Sequence, residues 1–170
     1  MRDLIKIGNE CIEDLKAIGY EFPKPIKFVQ SNRMKRTWGL CSTCKNWSYT
    51  QVKIATFLLQ DDVPEKQLRQ TVYHELAHAI DNNENGHVGR WKRIADMISD
   101  CYNMDIQQYC TNEEVKVLKS TEMYSSMRNK YTVKCCKCGV KCERMGYRAP
   151  KWYSQVERYK CKCGGELKRV

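Results

Sequence analysis

All three histidines of the 170-residue chain fall in one window, HELAHAIDNNENGH, residues 74–87. His74 and His78 stand four apart, so on a helix both present a nitrogen to one ion. Glu75 lies about 100° further round such a helix, beside the ion and outside its coordination shell. His87 comes too late for the same helix. The chain must turn first, and DNNENG suits a turn because Asn and Gly tolerate positive φ. Three protein ligands leave a fourth tetrahedral position to water, the arrangement of a catalytic zinc. Zinc acidifies that water, and Glu75 is placed to accept its proton as general base and return it to a leaving amine. The predicted chemistry is peptide hydrolysis at a metal held by His74, His78 and His87. The longer HExxHxxGxxH pattern is excluded, because Asp81 and Glu84 stand where Gly and His would be needed.

A second cluster lies near the C-terminus, where six of the eleven cysteines fall in the last 36 residues. KCCKCG offers Cys135 and Cys138, and YKCKCGG offers Cys161 and Cys163, two knuckles that can aim four thiolates at one structural zinc. Gly139 and Gly164 follow the second cysteine of each knuckle, where the tight turn favours glycine. The second knuckle has one residue between its cysteines rather than two, and Cys136 or Cys142 could replace a chosen ligand. Cys41 and Cys44 form a CxxC with no second pair nearby. With Cys11, Cys101 and Cys110 they are expected to be structural. In a chain that reads as lacking a secretion signal, such pairs point to metal rather than disulfides.

The elements that must position these residues follow from periodicity. Leu4, Cys11, Leu15 and Ile18 mark an amphipathic first helix, which also argues against a signal peptide. Two prolines in EFPKPIKF lead into a strand near Ile26–Gln30. SNRMKRTWGLCS reads as a second strand, with Ser31 and Asn32 at the turn. Val52, Ile54 and Thr56 alternate as the buried face of a third. DDVPEKQ supplies a helix start, with Asp62 as cap and Pro64 in the first turn. That helix should run to about Asn82, and a following one over Val88–Ser99 should bury Trp91, Ile94, Ala95 and Ile98. The fold class expected is α+β: a small zincin-like body of helix, short sheet, HExxH helix and following helix over residues 1–128, with a zinc ribbon over 129–170.

At 42% hydrophobic and 29% charged residues the chain is neither disordered nor fibrous, and no apolar run approaches a membrane span. A cytoplasmic monomer is expected, nucleoid-associated in a bacterial cell. From Asn129 to Val170 there are twelve Lys or Arg against three Glu, a net of +9 out of +10. Residues 1–128 carry 18 basic and 17 acidic groups, a net of +1. A zinc on four thiolates would leave the tail at about +7, still strongly basic. Lys134, Lys137, Lys141, Arg144, Arg148, Lys151, Arg158, Lys160 and Lys162 are interleaved with Tyr147, Trp152, Tyr153 and Tyr159. Cations attract phosphates and exposed rings stack on unpaired bases, so nucleic acid is the expected partner, with single aromatics more often filling the ribbon's core.

These residues resemble the SprT-like zinc metalloproteases. SNRMKRTWGLCS looks like the segment preceding that family's strands, HELAH followed by GHVGRW is similar to its HExxH and GHxxxW pattern, and a Cys-rich ribbon resembles that of its bacterial members. The resemblance implies zinc ligands at His74, His78 and His87, Glu75 as catalytic acid/base, and a protease acting on DNA-bound or DNA-crosslinked proteins. Single-stranded DNA, or DNA with single-stranded features, is the expected nucleic acid. Two other readings stand beside it: a non-proteolytic nucleic-acid-binding zinc protein, and a protease of one regulatory partner. An intact Glu75 argues against the first, because a scaffold gives no reason for a carboxylate there.

Overall fold

The computed structural model describes residues 1–108, 111–121, 129–146 and 148–170. The chain divides into two compact units, Met1–Thr121 and Glu122–Val170. Among the described residues no helix is long and apolar enough to cross a membrane.

The first unit opens with helix α1, Leu4–Ala17, whose start is capped by the Asp3 carboxylate accepting the Ile5 and Lys6 amides. It buries Leu4, Ile7, Cys11 and Leu15, as its periodicity predicts, and Ile18 is the capping residue at its end. Strands β1 (Ile26–Ser31), β2 (Gly39–Thr43) and β3 (Thr50–Ala55) form one sheet in the order β1-β3-β2. The central β3 runs parallel to β1 and antiparallel to β2, which leaves β2 at an edge. Val52 and Ile54 are fully buried, and Phe28 stands beside Val52 on the same face. The Phe28 ring packs so tightly on α1 that a Cβ at Gly8 would lie 2.4 Å from it, which explains a glycine inside that helix.

Helix α2 (Glu65–Ile80) packs on the sheet and on α1, and α3 (Arg90–Tyr102) packs on α2. The Tyr73 hydroxyl donates to the Asp14 carboxylate at 2.5 Å and the Tyr102 hydroxyl to the Asp14 carbonyl at 2.6 Å, tying α2 and α3 to α1. A fourth helix, α4 (Asn112–Ser120), begins in a capping box between Thr111 and Glu114. Periodicity gave no sign of it.

Several expected boundaries move. The second strand occupies only Gly39–Thr43, because Arg33, Lys35 and Arg36 have no apolar alternation to pair. The third ends at Ala55, and Thr56–Leu59 turns as a 3-10 helix that buries all four side chains. Asp62 does not cap α2: Pro64 holds the cap position with an extended backbone and no side-chain cap bond forms. The later helix starts at Arg90 rather than Val88, after Gly89 at φ +58°.

In the second unit β4 (Asn129–Cys135), β5 (Lys141–Gly146) and β6 (Leu167–Arg169) form an antiparallel sheet in the order β5-β4-β6. Tyr131, Val133 and Cys135 are its buried row. The Tyr153 ring meets Tyr131 edge-on at 5.0 Å, and the Arg169 guanidinium lies 5.5 Å over Tyr153.

Candidate metal and catalytic site

Helix α2 carries His74 and His78 on one face, and the turn after it returns His87 to them. The Nε2 atoms of His78 and His87 are 3.0 Å apart, and those of His87 and His74 are 3.1 Å apart. The turn is built from residues that accept left-handed backbone: Asn82 at φ 55°, Asn83 at 59° and Gly86 at 58°. Buried Asp81 holds it closed, its carboxylate accepting the Asn85 amide at 2.9 Å and the Asn85 side-chain nitrogen at 2.7 Å. Trp91, at the start of α3, supports all three imidazoles, with ring centroids 5.0, 5.3 and 4.7 Å from those of His74, His78 and His87.

The donor set suits a divalent cation. His74 Nδ1 lies 2.9 Å from the Gln107 carbonyl. A carbonyl can only accept, so Nδ1 carries the proton and Nε2 keeps its lone pair. Burial, then the neighbouring imidazoles, pushes His74 down to about 4; burial and His87 do the same for His78, and burial lowers His87. Each shift favours the neutral ring, the form that ligates. Three convergent nitrogen donors fit zinc.

Glu75 is 6% exposed and points from α2 toward β2. Burial pushes its carboxyl up to about 7, opposed by a hydrogen bond from the Cys41 backbone amide. Gly39 explains how a strand comes so close: a Cβ there would lie 2.4 Å from Glu75 Oε1 and 2.6 Å from its Cγ. Histidines, Glu75, Gly39 and Cys41 line one cleft of about 510 Å³. Sequence reasoning missed Gly39, Gln107 and the Asp81–Asn85 clasp. A glycine inside a strand signals close approach, but only the fold shows that Glu75 is the neighbour.

In the second unit Cys135, Cys138, Cys161 and Cys163 are brought together, each offering a sulfur within 4.8 Å of the others. The Cys135–Cys163 and Cys138–Cys161 sulfurs are 3.5 Å apart. Amides of Cys138 and Lys137 point at Cys135 Sγ, both at 3.4 Å, and hold its thiol down at about 6. Gly139 and Gly164 take φ +74° and +78°, the left-handed backbone that turns the chain after the second cysteine of each knuckle. A Cβ at Gly165 would sit 2.7 Å from Cys135 Sγ, which fixes that position as glycine too. Cys136 and Cys142 are exposed and outside the cluster.

The remaining cysteines divide. Cys11 is buried and Cys41 is half-buried at the cleft, where the Asn83 side chain donates to its sulfur at 3.5 Å. Cys44 and Cys101 are exposed and serve no core. Cys110 lies outside the described residues, as does Tyr147. All nine ribbon cations, from Lys134 to Lys162, are exposed. Tyr131 and Tyr153 fill the small core and Tyr159 is 39% exposed.

Comparison with curated proteins gives no match. The sequence model of the SprT-like family matches residues 9–117, well over half of the chain, and the match spans the histidine window, Glu75, Gly39 and Trp91. The chain belongs to the SprT-like family.

Proposed function

We propose that the protein is a zinc-dependent endopeptidase acting on proteins bound or crosslinked to DNA, with the basic second unit recruiting it. The observation that carries this reading is the convergence of three imidazole Nε2 atoms beside a buried carboxylate in an open cleft. When bound, zinc supplies Lewis acidity that polarises a peptide carbonyl and acidifies water. The protein's own part is positional. Trp91 and the Gln107 carbonyl fix the imidazoles, and the Asp81–Asn85 clasp sets His87. Glu75 accepts a proton at its carboxylate and returns it to the departing amine nitrogen. Edge strand β2 borders the cleft, and its outward backbone groups suit pairing with an extended peptide. Burying a carboxylate is costly without a function for it, which favours peptidase over scaffold.

The exposed cations of the ribbon support recruitment to DNA, since phosphate neutralisation dominates such affinity. The test compares cleavage of one protein free and covalently attached to a single-stranded oligonucleotide, using zinc-loaded full-length enzyme. Faster cleavage of the attached form, abolished by a chelator, is expected. Equal rates for both forms would contradict recruitment.

A further inference from the structure

The near-zero charge of the first 128 residues is a cancellation between two segregated parts. Between Phe22 and Gln60 the chain has seven cations and no Asp or Glu. The rest of residues 1–128 has eleven cations against seventeen acids, a net of −6. Residues 22–60 hold the three strands, their loops and the 3-10 turn that follows them, so this region is basic, and the acidic excess lies outside it in the segments between the helices rather than in the helices themselves. Elsewhere in the unit Arg2, Lys16, Arg69 and Lys92 are each paired with a carboxylate. Among the described residues none of the seven sheet cations has a carboxylate within 4.0 Å. Two of them are engaged otherwise, Lys24 with backbone carbonyls and Lys27 with the Tyr49 ring.

The helices cover the sheet face that holds Phe28, Val52 and Ile54. Alternation sends the intervening residues to the opposite face. Lys27, Gln51 and Ser42 form one row across it, and Val29, Lys53 and Leu40 the next. Leu40 is 46% exposed. Tyr49 continues this outer row beyond Gln51. Its ring stacks on Trp47, with centroids 5.3 Å apart and planes within 17°, and Lys27 Nζ lies 5.1 Å from its centre. The loop bearing Trp47 is held from the side, because Lys24 Nζ donates to the Cys44 and Trp47 carbonyls at 3.0 and 2.8 Å. Trp47 remains 36% exposed. A braced, stacked aromatic pair beside unpaired lysines offers a π-face and cations together.

We infer that this outer sheet face is a second nucleic-acid surface, on which an unpaired base stacks against Trp47–Tyr49 and phosphates lie along Lys27 and Lys53. Single strands are specified because a base within a duplex has both faces covered by its neighbours. The loop with Arg33, Lys35 and Arg36 lies at the other end of the strands, about 20 Å away for six residues at ~3.3 Å each, and Arg36 lines the catalytic cleft. A strand crossing the sheet therefore leads to the cleft rim, where a protein attached to it would meet the catalytic residues. The inference shares its nucleic-acid partner with the proposed function but does not depend on the ribbon.

The test uses full-length protein and a labelled oligothymidylate in fluorescence anisotropy. Trp47→Ala is expected to weaken binding about tenfold, the scale of one lost base–aromatic stack. Lys27→Gln with Lys53→Gln is expected to reduce the slope of log affinity against log salt by about 1.4, at about 0.7 per single-strand phosphate contact. Both lysines point away from the core, so that variant folds whatever Trp47→Ala does, and the Lys→Arg pair should restore the slope. Photocrosslinking with 5-iododeoxyuridine should label the peptide spanning residues 44–53. Unchanged affinity and slope in both variants, with every adduct in residues 129–170, would overturn the inference and leave ribbon recruitment standing. Adducts confined to residues 44–53 would support it and count against the ribbon.

Discussion

Glu75→Gln should retain the fold and both metal sites while losing proteolysis by roughly 10²- to 10⁴-fold, the usual contribution of a positioned general base. The amide matches the carboxylate in shape, so the close approach of Gly39 is preserved. Its oxygen can still accept the Cys41 amide that bonds Glu75. What it loses is the capacity to hold a proton taken from water. The loss should fall on kcat, with KM little changed, because no contact to the peptide is removed. Metal content and melting temperature, measured on the same preparation, separate this from misfolding. A Glu75→Gln protein cleaving casein at the wild-type rate would exclude Glu75 as the base.

Gly39→Ala should be almost as damaging, though Gly39 has no side chain of its own to offer the site. A methyl at 2.4 Å from Oε1 and 2.6 Å from Cγ cannot be accommodated without moving Glu75 or strand β2. Overpacking of this kind costs about 1–3 kcal/mol of stability, and displacing a catalytic group by about 1 Å costs on the order of 10²-fold in rate. Combining Gly39→Ala with Glu75→Ala should show that the two effects share one contact. The shortened side chain leaves room for the methyl, so the double variant should be more stable than the single additions suggest. Strict additivity of the two melting-temperature shifts, or wild-type turnover in Gly39→Ala alone, would show that Gly39 does not position the carboxylate.

The histidine site could be read from the sequence because its rules are local. Four-residue spacing on a helix, followed by an Asn- and Gly-rich turn, fixes where three rings can meet. The four-cysteine cluster was readable for the same reason, each pair lying on a short turn followed by glycine. What sequence left out depends on contacts between distant segments. The Gln107 carbonyl comes from a stretch without periodicity, and nothing local marks it as the partner of His74. Gly39 is a strand residue whose meaning appears only when α2 lies across it. Asp62 reads as a helix cap, yet Pro64 holds that position and no side chain caps the helix, although the fixed φ of proline suits the chain's entry into it. Thr56 continues the alternation of β3, but Phe57, Leu58 and Leu59 all enter the core, and a strand covered on one face buries only every second residue. Net charge misled in a different way. Averaging over residues 1–128 hid a sheet region whose charged residues are all basic, offset by acids elsewhere in the unit.

The central claim, a zinc peptidase centre on α2 with a separate thiolate site in the ribbon, is tested most directly by elemental analysis of purified protein. Two zinc ions per chain are expected. Replacing His74, His78 and His87 together with alanine should reduce this to one and abolish cleavage, while the ribbon zinc stays bound. The three-histidine site leaves a coordination position open and should yield its metal to a chelator before the closed four-thiolate site does. One zinc per chain, unchanged by the triple replacement, would contradict the assignment of His74, His78 and His87 as a metal centre.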